Sequence, residues 1–215
     1  MGEDGPTHQP VEQLASLRAM PGMVMLRPAD ANEVVEAWRL VMTQRGSAAS
    51  LVLTRQALPT LDRSRYASAA GVARGAYVLA DVAPDVLADP ADGRPDVILL
   101  ASGSEVALCI AAHEQLLREG VASRVVSMPS WDLFECQDEA YRESVLPATV
   151  LARVSVEAAA ALGWDRYVGR QGTIIAMRTF GLSAPGQVVQ AHFGFDVDHI
   201  LAAARQQLAP HAAKA

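Results

Sequence analysis

The stretch from Val97 to Met128 constrains the fold more than any other part of the chain. Val97 to Ala101 is an almost unbroken apolar run. Ser102-Gly103-Ser104-Glu105 turns it into a strongly periodic helix that reaches about Arg118 and is closed by Gly120, and Ser123 to Met128 is a second apolar run ended by Pro129. A strand this continuously apolar suits a sheet covered on both faces. Further strands are expected at Ala76 to Leu79, Thr149 to Val156 and Thr173 to Met177. Helices are expected over Val188 to Phe193 and Val197 to Leu208, with Trp131 to Tyr141 as loop with some helical turn and Glu157 to Trp164 as a short helix or turn. A Pro/Asp-rich loop falls around Pro84 to Pro95. Strands alternating with helices make residues 71–208 an α/β domain with a mostly parallel sheet.

The chain upstream is different. Met23 to Leu26 reads as a short buried strand, and Asp30 caps a helix with apolar positions Val34, Val35, Trp38, Leu40, Val41 and Met42 that runs to Gly46. Leu51-Val52-Leu53 is a strand that delivers Thr54-Arg55-Gln56 at its C-terminal end, where open α/β sheets collect ligands. About two strands seldom make an independent sheet, so residues 1–56 read as the second half of a domain. Residues 57–70, without sustained periodicity, read as a linker, and the alanine-rich 209–215 as a frayed tail.

With 215 residues and 51% apolar content, the chain can bury a real core. A net charge of −6, with Lys214 the single lysine, argues against a nucleic-acid partner. No signal pattern or membrane-length apolar run occurs, so a cytoplasmic protein without membrane association is expected. Cys109 and Cys136 have no metal-type spacing, which fits a reducing compartment.

The densest chemistry lies at Gly2 to Glu12, Gly-Glu-Asp-Gly-Pro-Thr-His-Gln-Pro-Val-Glu. Two glycines and two prolines shape a loop that can approach a ligand closely, and a helix follows over Val11 to Arg18. Asp4 and His8 can bond sugar hydroxyls, and His8 can move protons near neutral pH. By spacing alone, an Asx-turn with a helix cap is the commoner explanation. Arg55 can clamp a phosphate bidentately, although a solvated arginine is the commoner fate. The Ser102 to Glu105 turn has an anion-cradling shape without a full phosphate-loop fingerprint, which favours a capped helix in a packed unit. His113, His192 and His199 lack ligand spacing and read as helix-surface or cap residues. Trp38, Trp131 and Trp164 read as core or interface side chains.

The words Gly-Glu-Asp-Gly-Pro-Thr-His-Gln-Pro-Val-Glu-Gln over Gly2 to Gln13 strongly resemble the sugar-binding loop of the transketolases. The likeness continues through Val125-Val126-Ser127-Met128-Pro129-Ser130, Tyr141-Arg142-Glu143-Ser144-Val145-Leu146-Pro147 and Phe180-Gly181 with Ser183-Ala184-Pro185, in transketolase order. Val156-Glu157-Ala158 is similar to a family segment and carries no assigned chemistry. The resemblance implies that residues 1–56 are the C-terminal part of a pyrimidine-binding domain and 71–208 the family's C-terminal domain. It implies that Asp4 and His8 contact donor-sugar hydroxyls and that Arg55, in Thr-Arg-Gln where the family has Ser-Arg-Gln, binds the sugar phosphate.

The implied activity is transfer of a two-carbon ketol unit from a ketose phosphate to an aldose phosphate, with thiamine diphosphate and Mg²⁺ in a homodimeric parent enzyme. The family's Gly-Asp-Gly diphosphate and metal motif, its aminopyrimidine-activating glutamate and the histidine upstream of the loop do not occur in these 215 residues. The expectation is therefore that this chain alone binds neither cofactor nor metal, is catalytically silent, and needs a missing N-terminal half as partner. A loop at the chain end is further expected to be poorly ordered without that half. The alternatives are a non-enzymatic binding or dimerisation module derived from a transketolase, and part of a dihydroxyacetone synthase.

Overall fold

A computed structural model describes residues 2–82 and 93–212. Most of the Pro/Asp-rich stretch from Pro84 and the end of the tail, residues 213–215, lie outside these. The first elements are a short helix α1 (Gln13–Arg18), strand β1 (Met23–Leu26), helix α2 (Ala31–Thr43) and strand β2 (Ala48–Leu51). Asp30 caps α2 as its spacing requires, its carboxylate accepting from the Glu33 amide at 2.9 Å. β1 and β2 pair in parallel, Met23 opposite Ala48 and Leu26 opposite Leu51.

The second part contains β3 (Tyr77–Ala80), β4 (Val97–Ala101), α3 (Glu105–Arg118), β5 (Ser123–Ser127), α4 (Trp131–Glu135), α5 (Glu139–Val145), β6 (Arg153–Ala160), α6 (Asp165–Val168), β7 (Thr173–Met177), α7 (Gly186–His192) and α8 (Val197–Ala212). Among the described residues its sheet has the order β3-β5-β4-β6-β7, parallel except for β3, which runs antiparallel to β5 at the edge. All five residues of β4 are buried, as their continuous apolarity requires. They serve two cores. Leu99 and Ala101 pack with Val106, Ile110 and Leu116 of α3 and Ile200 of α8, whereas Ile98 and Leu100 face Trp131, Phe134, Trp164 and Tyr167.

The expected strand over Thr149 to Val156 is shifted: β6 begins at Arg153 and continues to Ala160, so Glu157 lies in a strand and is completely buried. Alanines at 158–160 suggested helix, but pairing with β7, with an irregularity between Glu157 and Ala160, overrides that weak preference. The region 131–141 is ordered as α4 and α5, the latter capped by Asp138 on the Tyr141 amide. His113 is not on a helix surface; it is buried in α3 with Nδ1 2.8 Å from Ser123 Oγ, and burial lowers its pKa. On α2 the apolar positions Val35, Trp38 and Met42 face outward and only Glu33 and Ala37 are buried.

The two-stranded β1–β2 sheet has little core of its own and shares that of the second part. Val24, Leu26, Ala29 and Ala37 belong to the cluster around Leu99 and Ile200, and Leu14 and Met25 meet Ala159 in a smaller one. The free edge of β1 is covered, its Arg27 amide donating to the Pro129 carbonyl (2.8 Å) and its Met25 amide to the Asp132 carboxylate (3.2 Å). Ala160 at the end of β6 donates to Val11 O, just ahead of α1, at 2.8 Å. Glu33 completes the junction from α2, its carboxylate accepting from Tyr77 Oη (2.7 Å), Ser127 Oγ (2.6 Å) and the Ala29 amide (2.8 Å). No helix among the described residues is long and apolar enough to cross a membrane.

Candidate functional site

The C-terminal ends of strands from both sheets converge on one cavity of about 220 Å³. Arg27 and Pro28 reach it from β1, Val52 to Gln56 from β2, Gly103 to Glu105 from β4 and Ala158 from β6. Leu14, Val189 and Phe193 supply apolar wall, and Gly2, Gln9 and Pro10 bring the glycine/proline loop to its margin. The arrangement follows from the parallel strands, whose carboxyl ends all point into the junction.

The loop is built by close backbone approach. Gly5 has φ of 78°, open to glycine, and leads into a short 3₁₀ turn, Pro6–His8. The chain then enters α1. Loop Phe180 to Gly186 of the second part holds the first: Ala184 N donates to Gly2 O (3.3 Å), Ser183 Oγ to Glu3 O (3.2 Å), and Gln9 Nε2 to Leu182 O (2.8 Å) and Gly2 O (3.2 Å). A Cβ at Gly2 would run into the backbone at Ala184 and Gly186, so only glycine allows this contact. The loop is thus tied to the second part at several points.

Of the three residues singled out from sequence, two meet directly. Asp4 Oδ2 and Arg55 Nη1 form an ion pair, with side-chain exposures of 32% and 64%. His8 lies on the other shoulder of the same loop, beside Glu12, Gln13 and Phe180 in a separate depression, its Nδ1 3.0 Å from Thr7 Oγ1. The site is thus an exposed carboxylate and guanidinium together at the end of β2, with an exposed imidazole at the loop's far end.

Deeper in the cavity, the Ser102 to Glu105 turn is filled by a cation. Arg27 Nη1 bonds Ser102 O (2.5 Å), Ser102 Oγ (3.1 Å) and Glu105 Oε2 (2.6 Å), and its Nη2 bonds Ser104 Oγ (3.2 Å). Gly103, with φ of 57°, gives the space: a Cβ there would fall 2.6 Å from Arg27 Cζ. Burial disfavours the charge on Arg27, but Glu105 and Glu157 outweigh it and raise the pKa. Glu157 is pushed up by burial and pulled down further by Arg18, Arg27 and Ser102, ending at about 2.

These residues do not compose a diphosphate or metal site. Among the described residues no three His, Cys, Asp or Glu side chains converge, and the turn with the shape of an anion cradle embraces Arg27. Sequence reasoning passed over Arg18, Arg27, Glu105, Glu157 and Glu33. A signal was present for two of them: Arg27 follows a buried strand directly, and Glu157 is a lone charge inside the apolar run Val156 to Ala159.

Comparison with known proteins adds to this geometry. The family model described as "Transketolase, pyrimidine binding domain" matches residues 1–60, and "Transketolase-like TK C-terminal domain" matches 75–196. A transketolase of Halalkalibacterium halodurans is 52% identical over 208 residues, which cover 97% of this chain and 30% of that protein. The chain spans about 30% of the length of the curated relatives it matches. Among solved structures, transketolase from Leishmania mexicana superposes with a TM-score of 0.86 at 38% identity, over 97% of this chain and 28% of that one. A transketolase from Pichia stipitis in complex with sedoheptulose 7-phosphate superposes with a TM-score of 0.85 at 34% identity, over 99% and 29%.

Proposed function

The chain belongs to the transketolase family, and from that premise we propose that it forms the sugar-recognising wall of a two-carbon ketol-transfer site acting on sugar phosphates. The observation that carries this is the meeting of Asp4 and Arg55. Fifty-one positions apart in sequence, they pair where the family's sugar loop faces the end of β2. The sugar phosphate bound by the Pichia stipitis relative supports the same ligand class.

The chemistry of the residues gives each a role. A phosphate dianion offers the Arg55 guanidinium two oxygens in its plane and competes well with an exposed carboxylate. When phosphate takes Arg55, Asp4 is released to accept hydrogen bonds from sugar hydroxyls. His8, whose Nδ1 is engaged by Thr7, presents its other nitrogen as a donor or acceptor to a hydroxyl and can hold or return a proton there. Thr54 keeps a hydroxyl beside the clamp.

The residues described do not fit thiamine diphosphate or Mg²⁺, so carbon–carbon bond cleavage rests on segments outside these 215 residues. The proposed active species is an assembly of this chain with those segments, thiamine diphosphate and Mg²⁺, as a homodimer of the complete unit. The 215 residues by themselves bind sugar and catalyse nothing. The test combines this chain with a polypeptide carrying the thiamine-binding segments and follows ketol transfer from a ketose phosphate to an aldose phosphate. Transfer in the mixture and in neither component alone is expected. A stable complex, verified by mass, that transfers nothing with cofactor present overturns the reading.

A further inference from the structure

In the five-stranded sheet the chain passes from β4 to β5 on one side and later to β6 on the other. The crevice between the C-terminal ends of β4 and β6 is therefore a topological switch point, the position at which open α/β sheets hold ligands. Here it holds Arg18, the last residue of α1. The guanidinium Nη1 and Nη2 bond the two oxygens of Glu157 at 2.7 Å each, a bidentate fork. Its carbon stands 3.7 Å from the ring centroid of Trp131 and 5.9 Å from that of Trp164.

Contacts other than those with Arg18 also hold the receptor. Ser102 Oγ at the end of β4 bonds Glu157 Oε1 at 2.5 Å, and Trp164 Nε1 bonds Oε2 at 2.9 Å, which fixes the carboxylate plane. Trp131 and Trp164 meet edge to face at 5.0 Å, so the ring under the guanidinium is held by its neighbour. The side chain of Glu157 is fully buried and that of Arg18 is 5% exposed. Arg18 Nε, also buried, has no hydrogen-bond partner. The socket therefore reads the outer edge and flat face of a guanidinium and ignores the stem that carries it.

We propose that this crevice is a guanidinium-recognition site of the C-terminal domain, occupied in cis by Arg18. The position used elsewhere for a small-molecule ligand here receives a planar cation from the preceding domain, and through it fixes α1 and the sugar loop to the second sheet. A flat, bidentate cation on an aromatic face with a buried carboxylate is the ligand class; an ammonium cannot fork to both oxygens and stack at once.

The test uses the Arg18→Ala variant of this chain, with thermal unfolding and tryptophan fluorescence as readouts. Removing one partner of a buried pair should lower Tm by on the order of 10 °C. Methylguanidinium or guanidinium at about 1–20 mM, far below denaturing concentrations, should restore much of this saturably and shift the fluorescence, beyond the effect of equimolar NaCl. The double variant Arg18→Ala/Glu157→Gln should not respond. Absence of saturable rescue, equal rescue by ammonium, or equal rescue of the double variant overturns the proposal. If Arg18→Ala does not fold, Arg18→Lys decides: a large loss of Tm is expected, and wild-type stability would show that charge alone suffices.

Discussion

The Asp4 carboxylate and the Arg55 guanidinium pair across the gap between the glycine/proline loop and the end of β2. Both side chains keep access to solvent, so the pair adds little to stability, as exposed pairs generally do. On the function proposed above, its value lies in holding a carboxylate and a guanidinium ready and exchangeable for a ligand.

In the assembled enzyme, Arg55→Ala should weaken phosphorylated donors about 10- to 100-fold in kcat/KM, the loss expected for a charge-assisted clamp. Non-phosphorylated ketoses should change far less. If Asp4 takes the proposed role at hydroxyls that both classes carry, Asp4→Asn should reduce both alike. Equal losses for the two donors in Arg55→Ala would remove Arg55 from the phosphate position.

Gly2→Ala places a methyl group against the backbone at Ala184 and Gly186, which cannot yield as a flexible side chain can. The glycine/proline loop should detach from loop 180–186. Amide exchange at Gly5, His8 and Gln9, whose amides bond within the loop, should accelerate at least about tenfold. The Arg27 amide on Pro129 should be unaffected. Unchanged exchange in the loop would mean that this close approach does not anchor it.

Two buried carboxyls predict pH effects of opposite sign. Glu157 has a folded pKa of about 2, below the ordinary 4.5, because the bonds and charge of Arg18, with Arg27 and Ser102, outweigh burial. Its contribution is complete above pH 4.5 and disappears as pH falls toward 2. Glu157→Gln should be less stable than wild type at pH 6 and should flatten the acid limb of a Tm profile below pH 4.5. An unchanged limb would exclude this linkage.

Glu33 runs the other way. Burial raises its pKa more than the bonds from Ser127, Tyr77 and Ala29 lower it. The folded state thus holds the proton more tightly than the unfolded chain does, and ionising the carboxyl costs stability as pH rises above 4.5. The stability difference between wild type and Glu33→Gln, measured by urea midpoints, should move against wild type as pH rises from 4.5. A difference that stays flat or moves toward wild type would contradict this sign.

Glu105→Ala strips the directly bonded anion from Arg27, whose side chain is only 10% exposed, and leaves it the more distant Glu157 alone. Leaving that charge buried should cost about 3–5 kcal/mol in equilibrium unfolding. Arg39→Ala, which removes an exposed pair with Glu36, should leave the urea midpoint within experimental scatter. Similar effects from the two variants would show that burial does not set the value of these pairs.

Much of this protein was legible in its sequence. The continuous apolar run at Val97 to Ala101 required a covered parallel strand, Asp30 and Gly120 bounded helices through capping chemistry, and the Gly2 to Gln13 words pointed to the family. Each of these rests on residues close together in the chain, where backbone geometry and side-chain periodicity act without knowledge of what lies opposite. Sequence marked Arg55 as a ligand candidate at a strand end and could not reveal that Asp4 is its partner. It placed Glu157 in a helix or turn and gave it no role, because three alanines weigh toward helix until β7 supplies the missing edge. Arg18 and Arg27 looked like polar ends of their elements. Their burial, and the choice of Glu157 and Glu105 as their counterions, depend on how two sheets meet, since a charge becomes costly and its partner indispensable only when the fold removes water from both.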